Sequence, residues 1–217
     1  MTFVDLSHAI VHGMSTYPGL PGPEISDHLA REASRSRYAV GTEFQIGRIA
    51  MVGNTGTYVD SPFHRYAGAT DLAGLPLDRL ADVPGVVVRA GGRREIGPDV
   101  FAGVDLRGKA VLFHTGWDRR WGTEAYLDPS AHPHLTGEAA ARLAEAEPAL
   151  VGIDSLNIDP IEGGGRPAHS ALLARGIPIV EHLTGLDALP DAGFRFFAVP
   201  PKVRAFGTFP VRAFALL

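Results

Sequence analysis

Apolar residues in this chain come in short blocks, most of them closed by glycine or proline. FVDLSH (Phe3–His8) and EFQIGRIAMV (Glu43–Val52) read as strands. GVVVRA (Gly85–Ala90) and KAVLFHTG (Lys109–Gly116) are β-branched and bounded by glycine, and read as buried strands. ALVGIDS (Ala149–Ser155), IPIVEHL (Ile177–Leu183), FRFFAVP (Phe194–Pro200) and FPVRAFALL (Phe209–Leu217) extend the series. A 3.6-residue period marks TGEAAARLAEAEP. There Thr136 is placed to cap a helix, Ala139, Ala140, Leu143 and Ala144 share a face, and Pro148 follows the end. AHSALLARG (Ala168–Gly176) reads as a shorter helix closed by glycine. Strands outnumber helices and their order is mixed. The expectation is one α/β domain over residues 1–217, with a mixed β-sheet flanked by helices.

One segment breaks the apolar pattern. In MVGNTGTYVDSPFHRY, the residues Asn54, Gly56, Tyr58, Asp60, Pro62 and His64 share one parity. If the segment is extended, they point to one face, because side chains alternate along a strand. A core face should be apolar, and a solvent face has no need of this mixture, so the row predicts a site.

Composition narrows the chemistry. The chain has 217 residues, of which 45% are hydrophobic and 20% charged, enough for a substantial core. The net charge of −4 and the scattered basic residues argue against nucleic acid as a partner. The absence of cysteine excludes disulfides, thiolate nucleophiles and cysteine-bound zinc. No apolar run is long enough to span a bilayer. The first residues lack the basic-then-apolar layout of a signal peptide, so a cytoplasmic location is expected.

His169 and Glu181 extend the candidate site. A helix from His169 to Arg175 rises roughly 10 Å at ~1.5 Å per residue. After a turn at Gly176, a strand from Ile177 to Glu181 returns roughly 13 Å at ~3.3 Å per residue. The lengths nearly match, so the two side chains can meet. Taken singly, each residue has an ordinary use: a helix-start cap for His169, an Asx-turn for Asp60, solvent for His64 and Glu181. Together they form a carboxylate-and-imidazole set of the kind that binds zinc or manganese.

On these motifs the chain resembles the cyclase family that includes bacterial kynurenine formamidase and isatin hydrolase. The family motif H-x-G-T-H-x-D-x-P-x-H is matched by N-T-G-T-Y-V-D-S-P-F-H. DLSHAIVHGMSTYPGLPGP, GLPLDRL, VLFHTGWDRRW, HPHLTGEAAARL, VGIDSLNID and RPAHSALLARGIPIVEHLTGLDALP are similar to further family blocks, in order. The resemblance implies the swivelling β/β/α-like fold of that family. It implies metal ligation by Asp60, His169 and Glu181, with His64 acting beside the metal. Asn54 and Tyr58 stand where the family has histidine, and RAFGTFPVRAF departs from a family stretch that is rich in glycine and carries an aspartate.

Imidazole pairs complete a two-metal site, so their replacement reduces the expectation to one divalent ion, manganese or zinc, or to none. Asn54 or water is the expected fourth ligand, and Tyr58 a second acid–base group. Trp117 and Trp121 are expected either to wall a substrate pocket or to sit in the core. The implied activity is metal-dependent hydrolysis of an amide, formamide, cyclic amide or lactone, as in an arylformamidase of tryptophan catabolism. The alternative is a metal-free cyclase, dehydratase or small-molecule-binding relative. A homodimer or homotetramer acting on a small molecule is expected by resemblance.

Overall fold

The computed structural model describes residues 1–217. Its strands are β1 (Phe3–Asp5), β2 (Glu24–Leu29), β3 (Ile46–Ala50), β4 (Tyr58–Asp60), β5 (Val83–Arg89), β6 (Glu95–Ile96), β7 (Ala110–His114) and β8 (His134–Leu135). They continue with β9 (Leu150–Ile153), β10 (Ile179–Glu181), β11 (Ala192–Phe197), β12 (Thr208–Pro210) and β13 (Phe214–Leu216). The helices are α1 (Arg31–Ser34), α2 (Gly137–Ala146) and α3 (Pro167–Ala174).

Nine strands form one sheet in the order β1-β13-β11-β5-β7-β9-β10-β4-β12. β5, β7, β9 and β10 run parallel to one another. The strands flanking them pair antiparallel, so the sheet is mixed as expected. Alternation splits the parallel core between two buried faces. Val86, Val88, Val111, Phe113, Val151, Ile153 and Ile179 pack against α2 and α3. Val87, Leu112, Leu150 and Val180 face the other way, toward Phe194, Phe196 and Leu186. The predicted N-cap on α2 is present: the Thr136 hydroxyl accepts from the Ala139 N–H.

Two strand expectations change. Glu43–Val52 shortens to β3, which pairs only with β2 in a separate two-stranded ribbon. FPVRAFALL divides into β12 and β13, seven intervals apart in the sheet order. Flat strands ~4.8 Å apart would place them roughly 34 Å from each other. The four residues from Pro210 to Phe214 reach at most about 14 Å. The sheet therefore curls until β12 lies near β13, and this brings Thr208 to β4 instead of to a distant edge.

Candidate active site

Three strands build the floor of the site. In the register of β4 with β10, Tyr58 lies opposite Glu181; in that of β4 with β12, Asp60 lies opposite Thr208. Opposed side chains on one face of a sheet meet. The Tyr58 hydroxyl donates to Glu181 Oε2 at 2.6 Å, and the Thr208 hydroxyl donates to Asp60 Oδ1. Asp60, Tyr58 and Glu181 are all buried.

The expected parity holds only within β4. Gly56 has a φ of +66° and Pro62–His64 is a turn of 3₁₀ helix, so the segment is not extended throughout. The bend at Pro62 folds His64 back over the strand, where its Nδ1 lies 2.8 Å from the Thr208 hydroxyl. Gly207 allows this approach, because a Cβ there would lie 2.6 Å from His64 Cα. Thr208 has one proton, and it goes to the Asp60 carboxylate. His64 Nδ1 must then carry the hydrogen that the Thr208 oxygen accepts, which leaves Nε2 as the basic nitrogen.

α3 delivers His169. Pro167 opens the helix, and Gly176, at a φ of +69°, turns the chain toward β10. The matched rise and return bring His169 Nε2 to 4.0 Å from Glu181 Oε1 and 3.5 Å from Asp60 Oδ2. Asp60, His64 and His169 each offer a ligand atom within 4.8 Å of the others. The N-terminus of α3 is capped from a distance by Asp159. Its carboxylate accepts the backbone N–H groups of Ala168 and His169, and His169 Nδ1 at 2.6 Å. The Nδ1–H is thereby committed, and Nε2 points at the two site carboxylates.

Charge is unbalanced here. Asp60, Asp159 and Glu181 are buried around one imidazole. Burial alone would lower the His169 pKa, but Asp159, Asp60 and Glu181 outweigh it and hold the group at about 10. Burial, with Asp60 nearby, raises Glu181 to about 7 despite His169. Asp60 resists burial through His64, His169 and Thr208 and stays below its ordinary value. Its Oδ2 is buried with no hydrogen-bond partner. An unsatisfied carboxylate oxygen next to an oriented imidazole nitrogen and a second carboxylate is the environment a divalent cation fits. The Asp159–His169 bond is the support that metal-binding histidines commonly have.

Asn54 and Tyr58 both line the cavity above this floor, about 250 Å³ in volume, together with Tyr17, Arg65, Asn157 and Arg166. Trp117 and Trp121 do not line this cavity, and Trp117 takes the core placement, the other of its two expected positions. Trp117 turns inward, buried, and donates from Nε1 to the Tyr126 carbonyl; Trp121 stacks on His8 at 3.8 Å. Tyr17 and Tyr58 are the phenol rings at the cavity. Asp159, Thr208, Arg65 and Arg166 were not singled out by the sequence. Asp159 lies within VGIDSLNID, but its partners are nine or ten residues away and become neighbours only through folding.

The sequence model of the family described as "Putative cyclase" matches residues 4–160. The chain belongs to the cyclase family. Within this family's reach, the kynurenine formamidase of Geobacillus thermodenitrificans (strain NG80-2) is 30% identical, over 97% of this chain and 95% of its own. That of Salinibacter ruber (strain DSM 13855 / M31) is 29% identical, over 98% and 96%. Isatin hydrolase A from Labrenzia aggregata, solved with benzyl benzoate, superposes with a TM-score of 0.83 at 23% identity, over 99% of this chain and 93% of its own. A structure described as a potential metal-dependent hydrolase with cyclase activity gives 0.78 at 25%, over 99% and 96%. The cyclase-family fold is therefore shared along the whole chain.

Proposed function

We propose that this cyclase-family protein is a metal-dependent hydrolase of a small amide, formamide, cyclic amide or lactone, similar in action to an arylformamidase. The observation that carries the reading is the buried Asp60 Oδ2, which has no hydrogen-bond partner and lies 3.5 Å from His169 Nε2. Asp60, His169 and Glu181, completed by Asn54, would hold one divalent ion, manganese or zinc. Such an ion supplies Lewis acidity toward a carbonyl oxygen and toward water.

The chain's own groups do the rest. His64 Nε2 takes a proton from the attacking water and returns it to the leaving nitrogen, as the carbon–oxygen bond forms and the carbon–nitrogen bond breaks. The Tyr58 pKa is raised well above its ordinary value by burial and by Glu181 and Asp60, so the phenol keeps its proton. It acts as the donor that holds Glu181 in place. The two formamidase relatives point to aryl formamides and to tryptophan catabolism as the pathway. A cytoplasmic homodimer or homotetramer completes the proposal. The exposed Ile25, Ile46 and Ile49 on the β2–β3 ribbon support self-association.

Protein purified without chelator, analysed for metals and assayed for formate release from formanilide, tests the reading. About one equivalent of divalent ion per chain and metal-dependent release are expected. Release that survives complete metal removal would favour the metal-free alternative, and no release from the loaded protein would sink the formamidase reading.

A further inference from the structure

Two short motifs play no part in the site above, GGRRE (Gly91–Glu95) and TGWDRRW (Thr115–Trp121). The first follows β5 and the second follows β7. These strands pair in parallel, so both motifs emerge at the same edge of the sheet. That edge is the carboxyl end of the strands, where open α/β sheets commonly bind ligands. A second cavity, of about 270 Å³, lies there and shares no residue with the cavity above Asp60 and His169. Arg93 and Arg94 reach it from the first motif and Arg120 from the second, and no acidic side chain lines it. The other cavity with three arginines, Arg79, Arg107 and Arg175, has Glu147 in its lining, 2.6 Å from Arg107.

Each guanidinium here is held by one contact and has donors to spare. Arg93 gives Nη1 to Asp99 at 2.9 Å, and Arg94 gives Nη2 to Glu162 at 3.2 Å. All four of these side chains are exposed, so the pairs position the arginines but contribute little energy for a ligand to overcome. Arg120 lies over the Trp117 ring, 4.2 Å from its centroid, and that ring is itself fixed by its Nε1 bond to the Tyr126 carbonyl. Gly92, at a φ of +79°, turns the first loop with open space where a side chain would stand. The N–H groups of Gly91 and Gly92 make no backbone hydrogen bond. The second loop is tied down at its start, where the Asp154 carboxylate accepts the N–H groups of Thr115 and Gly116. Asp154 is buried beneath that turn and does not line the cavity. A single surface arginine is ordinary. Three on one concavity, brought by two separate loops, repel one another with no countercharge in the lining.

We infer that this cavity is a second binding site, and that its ligand carries a phosphate group held by Arg93, Arg94 and Arg120. One guanidinium fork saturates the two oxygens of a carboxylate, whereas the oxygens of a phosphate point in several directions and accept from several forks at once. Backbone N–H groups of a glycine turn suit the same oxygens. The volume lies near the lower end of ligand pockets, ~300 Å³, which fits inorganic phosphate or a small phosphate monoester. The site holds none of the groups assigned to hydrolysis, so the inference does not rest on the hydrolase reading.

The experiment is calorimetric titration of the full chain, as purified, with inorganic phosphate, phenyl phosphate and benzoate at matched low ionic strength. The wild type should show saturable phosphate binding that depends on Arg94. Arg94→Gln and Arg120→Gln should each weaken it by about 10- to 100-fold, the cost of losing one charge-assisted hydrogen bond. Arg35→Gln, which alters a surface pair outside the cavity, should leave the affinity unchanged. Tighter binding of phenyl phosphate assigns the site to an organic phosphate, and equal binding assigns it to the free ion; both support the proposal. Benzoate bound as tightly, with the same dependence on Arg94, overturns the phosphate class. Binding lost in Arg166→Gln and kept in the Arg94 and Arg120 variants places the anion in the first cavity and overturns the second site. Equal weakening by Arg35→Gln would reveal only a diffuse effect of charge, and no saturable binding at millimolar phosphate ends the proposal outright. If Arg120→Gln lowers the melting temperature by freeing Trp117, the exposed Arg94 carries the test alone.

Discussion

The hydroxyl of Thr208 serves both Asp60 and His64, and this makes a single methyl-for-hydroxyl exchange informative. Thr208→Val keeps the volume and β-branching but frees the His64 ring to rotate and leaves Asp60 Oδ1 unpaired. Turnover should fall about tenfold or more, with a loss of stability of about 1–3 kcal/mol from the unpaired buried oxygen; unchanged turnover in steady-state kinetics would remove Thr208 from the mechanism. His64→Ala should cost more, roughly 10²–10⁴-fold in kcat, the usual contribution of a positioned base. Metal content by elemental analysis should be largely retained, and loss of metal without loss of turnover would reverse the role given to His64. Asn54 and Tyr58 predict a stoichiometry. Neither residue offers an imidazole nitrogen, and the Tyr58 hydroxyl is committed as a donor to Glu181 Oε2, so few ligands remain for a second ion. Metal titration calorimetry should show no more than one tight divalent ion in the wild type, and higher affinity in the double variant Asn54→His, Tyr58→His. Two tight ions in the wild type would overturn this account.

At the level of elements, α3 and β4 are the two that the site depends on, and neither is anchored by its own sequence alone. The residue before α3, Arg166, makes no side-chain cap. Asp159 does that work from the preceding loop while also orienting His169. Asp159→Asn keeps the size but removes the negative charge, and its amide can no longer accept at both oxygens. Divalent-ion affinity should drop about 10- to 100-fold, the usual cost of losing such support. Helix content by circular dichroism should be nearly unchanged. If affinity does not move, His169 is held by packing and not by Asp159. β4 is three residues long and is held between β10 and β12, so its side chains are placed by its partners.

Across the whole molecule, burial of neutral imidazoles ties stability to pH. Burial pushes His8 down to about 4, against a smaller opposing effect of Asp118, and pushes His182 down to about 3. The unfolded side chains titrate near ~6.5. Between that value and the folded ones, the unfolded chain takes up protons that the folded chain refuses. The contribution of these groups is therefore complete above ~6.5 and is lost as pH falls toward 4. Asp154 and Glu181, raised chiefly by burial to about 6 and about 7, pull the other way in the mildly acidic range, so the wild-type slope is a sum. His8→Phe isolates one part: it keeps a ring against Trp121 and removes the titration. Urea unfolding midpoints at pH 7 and pH 5 should differ less in the variant than in the wild type shifted only by His8 would allow, that is, the variant should lose less stability on acidification. An equal or larger loss would show that His8 is not buried neutral.

Periodicity and turn chemistry were sufficient for much of this protein. The β-branched runs, the Thr136 cap and the glycine stops are local preferences, and each produced its element because nothing in the tertiary structure opposed it. The rise of α3 and the return of β10 are likewise fixed lengths per residue, so the meeting of His169 with Glu181 was legible from spacing. The motif residues Asp60 and His64 were legible as a group, although the extended geometry first assigned to them holds only for β4. What the sequence left open depends on contacts between distant segments. Thr208 reaches Asp60 across 148 positions because the sheet curls, and the division of FPVRAFALL into β12 and β13 follows from the same curl. The inward turn of Trp117, the capping of α3 by Asp159 and the gathering of Arg65 and Arg166 on one cavity were decided in the same way. Local propensity acts over a few residues, whereas a polar cluster is defined by which side chains a curled sheet brings within hydrogen-bond reach, and that is a property of the folded chain alone.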